Sequence, residues 1–250
     1  MHRPTIVSVC VFMICLGGCN GFRNIPMDKN ELQRSETVLL LTHDKNQGPI
    51  VMITNNNPTM GLLFGAIGGL ISGSIDAKLN STRTTHIRET LSGYNFQQHV
   101  QDAFLRATSS SSTWSWTTIP DNQAALRTSI YDTLSNPQMK MSAEAQSYIK
   151  DQNIAEVLIL DIPFYGIHNN TSSSKSVYNV TILAKVVDPA NANHILWQKK
   201  SDSDKLINMD QEKFDYNLDG PNDVVKTKTN IEIKADLVIG ELIGDLKASR

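Results

Sequence analysis

Histidines are the side chains of this sequence with the widest chemical repertoire, and their spacing shows what they could do. Beyond the amino terminus no two of them follow the His-Glu-x-x-His pattern that places a pair of zinc ligands on one helix face. We therefore expect most of them at the surface or in turns, and no metal site, although a site assembled from distant segments stays an alternative. The five are His43, His86, His99, His168 and His194.

Serine is abundant, but it stands in no motif that would activate it. The chain has neither a Gly-x-Ser-x-Gly elbow nor a Ser-x-x-Lys with its partner motifs. Serines in polar stretches such as 109–112 and 172–174 are weak nucleophiles. A Gly-x-Gly-x-x-Gly or Gly-Lys-Ser/Thr phosphate loop is also absent. The sequence predicts no catalytic residue, no cofactor and no enzymatic activity.

Composition restricts the class of protein further. The 250 residues include 23 Lys plus Arg and 25 Asp plus Glu, and this net charge of -2 argues against a general nucleic-acid binder. An apolar fraction of 40% with 19% charged residues is typical of a globular chain and not of a disordered one.

The amino terminus carries a targeting pattern. Arg3 provides a weak positive charge, and Ile6 to Leu16 is an almost unbroken apolar run of 11 residues. That run is too short to cross a bilayer, which needs about 20 residues, but it has the length of a signal-peptide apolar region. The small residues Gly17 and Gly18 then precede Cys19.

The motif Leu16-Gly17-Gly18-Cys19 resembles the lipobox of bacterial lipoproteins. The resemblance implies that Cys19 receives a diacylglycerol, becomes the first residue and is then acylated, commonly with palmitate. Asn20 follows, and the absence of Asp there favours the outer membrane under the enterobacterial sorting rule. An ordinary secretory signal and an uncleaved anchor stay alternatives. If cleavage occurs, Cys19 is the sole remaining cysteine, so the mature chain forms no internal disulfide.

We expect three regions: a signal peptide at 1–18, a lipidated flexible tether at 19–35 and a single periplasmic globular domain at 36–250. The domain contains an uncharged, glycine-rich segment at 60–76, where glycines recur every four residues on one helical face. Glycine costs roughly 0.5–1 kcal/mol in a helix relative to alanine, so such a helix needs close packing. Two alternatives would provide such packing. The helix forms a glycine zipper against a membrane or against another copy of the chain, or it is buried against the domain's own sheet. The candidate contact residues are Gly61, Gly65, Gly69 and Gly73.

Apolar spacing predicts the remaining elements. Runs at 37–42 and 49–54 favour a β-hairpin, and Trp114 and Trp116 indicate a strand with both indoles facing the core. Strands at 155–167, 176–187 and 194–199 indicate an antiparallel meander, with a bulge or an edge position at Pro163.

Helices are expected up to about Leu91, over 94–108, over 123–134, over 142–152 with Ser142 as the cap, and after Pro221. The buried face of the second is predicted as Phe96, Val100, Phe104 and Ala107. That of the last is predicted as Val224, Ile231, Ala235, Val238, Leu242 and Leu246. These elements give an α/β fold, with α+β as the alternative, in which helices cover a mixed sheet.

Residues 155–200 resemble a pattern found in periplasmic lipoproteins. Ala155-Glu-Val-Leu-Ile-Leu, then Tyr178 to Asp188, then Ile195-Leu-Trp197 is similar to the sheet of the curli-export lipoprotein, the TolB amino-terminal domain and penicillin-binding-protein activators. The resemblance implies strands followed by a helix, and it carries no catalytic residue.

The expected function is that of a membrane-anchored periplasmic lipoprotein acting by protein–protein contacts within a cell-envelope assembly. The alternative is a monomeric accessory or binding module that regulates an envelope enzyme. The expected partners are the membrane, through the lipid on Cys19, and other envelope proteins or further copies of the chain, with no nucleic acid.

Overall fold

The computed structural model of the chain describes residues 23–27, 36–53, 78–109, 114–136, 138–169, 176–206 and 223–248. Cys19 and the glycines at 61, 65, 69 and 73 lie outside the described residues.

Six strands form one mixed sheet with the order β3-β1-β4-β5-β6, and β2 also pairs with β4. Parallel ladders join β1 to β3, β1 to β4 and β2 to β4. Antiparallel ladders join β4 to β5 and β5 to β6, which confirms the predicted meander. The strands are β1 (Thr37–Asp44), β2 (Ile50–Met52), β3 (Ser115–Thr118), β4 (Ile154–Asn169), β5 (Ser176–Asp188) and β6 (Asn191–Asp202).

The predicted hairpin of β1 and β2 is wrong. Both strands run parallel to β4 and lie along successive parts of it, since Asp44 pairs with Ile162 and Ile50 with Gly166. The chain therefore continues in one direction through the turn at 45–49. Two apolar runs around a polar turn also fit a hairpin, and the 16-residue length of β4 decides between the two arrangements by offering partners to both strands.

Helices cover both faces of the sheet. They are α1 (78–90), α2 (Phe96–Thr108), α3 (Ala124–Ser135), α4 (Ala143–Asp151), α5 (Ser203–Leu206) and α6 (Val224–Ala248). Side-chain caps fix where α2, α4 and α6 begin, the last through Asp223 Oδ1, which accepts from the amide of Lys226 at 2.9 Å. Asn95 Oδ1 accepts from the amide of Gln98 at 3.0 Å, and Ser142 Oγ accepts from the amide of Ala145 at 3.2 Å, as predicted for Ser142.

The core lies on both faces of β4, which explains its continuous apolar sequence. Leu158 and Leu160 pack with α1, α2 and α6, whereas Val157 and Ile159 pack with α3 and α4. All four are fully buried, and each contributes roughly 1.5–3 kcal/mol relative to an exposed position. The register shifts between Asp161 and Phe164, which confirms a bulge around Pro163.

Two predicted buried faces need correction at one residue each. Ala107 of α2 is exposed, because it borders a groove between α2 and α6, and Ala103 is buried in its place. Val224 of α6 is 49% exposed because it begins the helix ahead of the packed region, where Thr227 is the first buried residue. Trp114 is buried as predicted, and Trp116 is partly buried with its ring edge against Phe104.

Residues 23–27 fall inside the range predicted as a tether, and they dock on the body. Ile25 and Gln198 exchange two backbone hydrogen bonds, of 2.8 and 2.9 Å, at the outer edge of β6. Met27 is buried in the core on the α1, α2 and α6 side. We call residues 23–27 the strap.

Candidate functional site

The described residues on either side of the glycine-rich segment are joined to one another. The amide of Ile53 donates to Asn80 Oδ1 at 3.1 Å, and Asn80 Nδ2 donates to the carbonyl of Ile53 at 2.9 Å. Ile53 follows β2 and Asn80 lies in α1, so the end of β2 and the start of α1 meet directly.

A cleft of about 410 Å³ opens where β1 ends. The turn at 45–49, the turn between α1 and α2, and Tyr165 of β4 form its walls. The carboxyl ends of parallel strands are a common place for ligands in α/β sheets, because the loops there diverge and leave a crevice. We call this space the β1 cleft.

Asp44 holds one wall of the β1 cleft in place. Its carboxylate accepts from the amides of Asn46 at 3.0 Å and Gly48 at 2.8 Å, and the Tyr165 hydroxyl donates to it. Burial raises the pKa of Asp44 above its ordinary value, and the hydrogen bonds oppose that rise. Burial, with the nearby Asp44 charge, also raises the pKa of Tyr165. The pair therefore stabilises the turn, in which Gln47 and Gly48 both have positive φ.

Arg88 and two aromatic rings complete the β1 cleft. The Arg88 guanidinium donates to the carbonyls of Asn46 at 2.9 Å and Pro49 at 3.2 Å. Phe96 stacks on Tyr165 with ring centroids 4.0 Å apart. Most of these polar atoms are hydrogen-bonded to the backbone of the turn at 45–49. Polar and aromatic side chains therefore line the β1 cleft together.

A second polar cluster lies on the sheet face that α3 covers. His43 Nδ1 lies 3.3 Å from Asp161 Oδ1, and the His43 ring stacks on Tyr131 at 3.9 Å. Tyr131 donates to Asp161, and burial, with that bond, raises the pKa of Tyr131. Lys185 donates to the carbonyl of Leu134 at 3.0 Å, and burial lowers the pKa of Lys185. The hydrogen bonds from Tyr131 to Asp161 and from Lys185 to Leu134 tie α3 to the sheet.

Sequence reasoning missed the His43–Asp161 pair, because 118 positions separate the two residues and only the parallel register of β1 and β4 brings them together. Three other predicted surface histidines also have acidic neighbours: His99 beside Glu232 and Asp236, His168 beside Asp204 and His194 beside Asp188. Within the part of the chain that the structure describes, no three His, Cys, Asp or Glu side chains are grouped to hold a metal ion.

The solvent side of α6 carries a continuous uncharged row, which we call the outer stripe. All six members are exposed and recur every three or four positions, so they share one helix face. Val225 is 73% exposed, Ile233 50% and Leu237 42%, and a Cβ added at Gly240 or Gly244 would meet open space. The outer stripe consists of Val225, Thr229, Ile233, Leu237, Gly240 and Gly244.

Beside the outer stripe, a groove of about 300 Å³ separates α6 from α2. The short side chains of Ala103 and Ala107 line it, together with Gly240, and Arg106 and Asp236 stand at its rim. The sequence alone already contained a pattern that indicates the outer stripe, because Gly240 and Gly244 repeat the four-residue spacing of Ile233 and Leu237. Among the described helices, none combines the length and the hydropathy needed to cross a membrane.

The chain matches no family model and no curated protein. Among solved structures it resembles the hypothetical protein CT253 from Chlamydia trachomatis, with 10% identity, a TM-score of 0.45 and coverage of 86% of this chain and 97% of that one. It also resembles PelC from Paraburkholderia phytofirmans, solved as a dodecamer, with 7% identity, a TM-score of 0.39 and coverage of 90% and 94%. Lipoprotein GNA1162 from Neisseria meningitidis shares 14% identity at a TM-score of 0.26, with coverage of 67% and 81%. At these values the likenesses establish neither a family nor a shared activity.

Proposed function

We propose that this chain is a non-enzymatic lipoprotein of the bacterial cell envelope, anchored through Cys19, which acts by protein–protein contacts as a component of an envelope assembly. The lipobox pattern supports the anchoring, and Asn20 favours the periplasmic side of the outer membrane. The outer stripe of α6 is the observation that supports action through protein contacts.

Three large apolar side chains of the outer stripe face water on one helix. Single exposed apolar residues are ordinary, but Val225, Ile233 and Leu237 are aligned along one face, and two glycines continue that face. Glycine weakens the helix at exposed positions, so its use there requires a compensating contact. A partner that approaches closely over Gly240 and Gly244 supplies that contact.

The spacing of the outer stripe fits a second copy of the chain in antiparallel orientation. Ile233 and Leu237 are four residues apart, as are Gly240 and Gly244. A two-fold axis between Leu237 and Gly240 therefore sets Leu237 opposite Gly240 and Ile233 opposite Gly244 of the partner subunit.

Two measurements test this proposal. Palmitate-analogue labelling of cells should mark the natural protein and leave Cys19→Ala unlabelled, and equal labelling of both would contradict the anchor.

Substitution of Gly240 and Gly244 by Leu should weaken self-association of the purified full chain by at least about tenfold, because the added side chains block the close approach. Sedimentation velocity measures this association, with Lys140→Leu as an exposed control outside α6. A natural chain that is monomeric at all concentrations would contradict the second copy.

The second candidate function is a monomeric accessory or binding module, and the β1 cleft favours it. In that case the two α6 substitutions leave mass and activity in cells unchanged, whereas Ser92→Trp, at an exposed position in the wall of the cleft, blocks the cleft and abolishes function while the outer stripe stays intact. Functional complementation of a deletion strain with the two variants distinguishes the candidates.

A further inference from the structure

The strap sets how far the body can lie from a lipid on Cys19. Cys19 and Arg23, the first described residue, are four positions apart. Four extended residues span at most about 14 Å, whereas a free tether from Cys19 to Glu36, 17 positions away, would span up to about 60 Å. Docking of the strap therefore removes most of the length that the sequence allows for a tether.

The contacts of the strap locate its entry point on the body. The backbones of Ile25 and Gln198 are hydrogen-bonded to each other, and Gln198 Nε2 donates to the carbonyl of Arg23 at 2.8 Å. The amide of Lys200 donates to Asn24 Oδ1 at 3.4 Å, so the strap runs antiparallel to β6 and begins near its carboxyl end. Burial of Met27 secures the other end of the strap.

From this geometry we infer that the strap holds the β6 edge of the body against the phospholipid surface in which Cys19 is anchored. The inference rests on the lipidation proposed above. It makes β6 the membrane-proximal edge and β3, at the opposite end of the strand order, the distal edge.

The charges at the entry point agree with a phospholipid headgroup layer as the occupant. Arg23, Lys200 and Lys205 are exposed there, and basic residues are attracted to the negative potential of anionic lipids. Two acidic side chains, Asp202 and Glu241, line the same corner, and Glu241 already accepts from Ser201 and lies 3.5 Å from Lys199.

The orientation has a consequence for the proposed assembly. Because α6 packs over β5 and β6, its outer stripe would lie close to the bilayer, facing neighbouring molecules on the same membrane. Anchored copies would therefore meet along the membrane plane, where their local concentration is high.

The test uses the natural lipidated chain in vesicles of phosphatidylethanolamine and phosphatidylglycerol with a nitroxide quencher on the headgroup. A fluorophore is attached through Lys200→Cys at the β6 edge or through Ser115→Cys on β3. We expect stronger quenching at position 200 than at 115. Equal quenching at the two positions would overturn the orientation.

Two further variants separate the strap from general folding. Ile25→Pro removes the amide that donates to Gln198, and a Gly/Ser insertion after Gly21 lengthens the chain without touching the strap. Both should abolish the difference in quenching, while Ile25→Val, which keeps the amide, should preserve it. If the insertion leaves the difference unchanged, the strap does not set the orientation. Absence of lipid on Cys19 would instead overturn the proposed function on which this inference rests.

Discussion

At the scale of single residues, the described part of the chain uses its charged side chains to join elements together. Lys199 on β6 is the best example. Its ammonium lies 3.0 Å from Asp245 and 3.5 Å from Glu241, both on α6, and Asp245 also accepts from the Trp197 indole at 3.0 Å. The hydrogen bond to Asp245 is the largest cause of the raised pKa of Lys199, and burial opposes it.

The sign of this shift predicts a pH dependence. A raised folded-state pKa means that the ion pairs contribute stability below the ordinary lysine pKa of 10.5, and that this contribution is lost as pH rises through the folded-state pKa. Lys199→Met should therefore lower the free energy of unfolding by about 0.2–1 kcal/mol at neutral pH. In strong alkali the free energies of unfolding of the variant and the natural protein should become more alike. Urea unfolding at several pH values measures it. Lys200→Met, on the exposed neighbouring residue, should show no such convergence.

At the scale of elements, backbone geometry decides which strands can pair. Gly166 has a φ of 142°, and a Cβ there would collide with the backbone oxygen of Ile50, its partner on β2. The approach of β2 to β4 therefore requires glycine at this position. The bulge around Pro163 precedes this contact and lets β4 continue past β1 to reach β2.

A pair of glycine substitutions tests this account of the elements. Gly166→Ala should destabilise the protein by more than about 2 kcal/mol, because the backbone at Ile50 must move. Gly244→Ala on α6 should stabilise it by roughly 0.5–1 kcal/mol, because its Cβ meets open space and alanine favours the helix. Thermal melts of both variants measure the difference. If Gly166→Ala melted at the same temperature as the natural protein, the pairing of β2 with β4 would not depend on their close approach at this glycine.

At the scale of the whole molecule, the body presents two kinds of surface. The β1 cleft lies at the end of the parallel strands, and the outer stripe lies along α6, so the surfaces that we propose for a small molecule and for a protein partner are different parts of the chain. The glycine-rich segment at 60–76 lies outside the described residues.

Replacement of residues 54–77 by a short Gly/Ser linker distinguishes the two interpretations of the glycine-rich segment. Since Ile53 and Asn80 are already hydrogen-bonded, a short linker can join them. An unchanged melting temperature is expected if Gly61, Gly65, Gly69 and Gly73 serve contacts outside the domain. A clear drop in a calorimetric scan would instead assign them to the domain's own core.

Much of this protein follows from local patterns in its sequence. The apolar run of β4 and the capped start of α4 each depend on neighbours a few positions apart, and the structure confirms both. The signal and lipobox pattern is likewise local, although Cys19 lies outside the described residues. The reason is that burial periodicity and helix caps act within one or two turns of chain.

Only the tertiary structure decided the parallel direction of β2, the His43–Asp161 pair, the docking of the strap on β6 and the groove beside the outer stripe. Backbone hydrogen-bonding groups are the same for every residue type except proline, so a short strand or strap carries little local information about which edge it joins. Packing of the whole chain determines that choice, since a partner more than a hundred positions away is selected by the burial of both faces of the sheet.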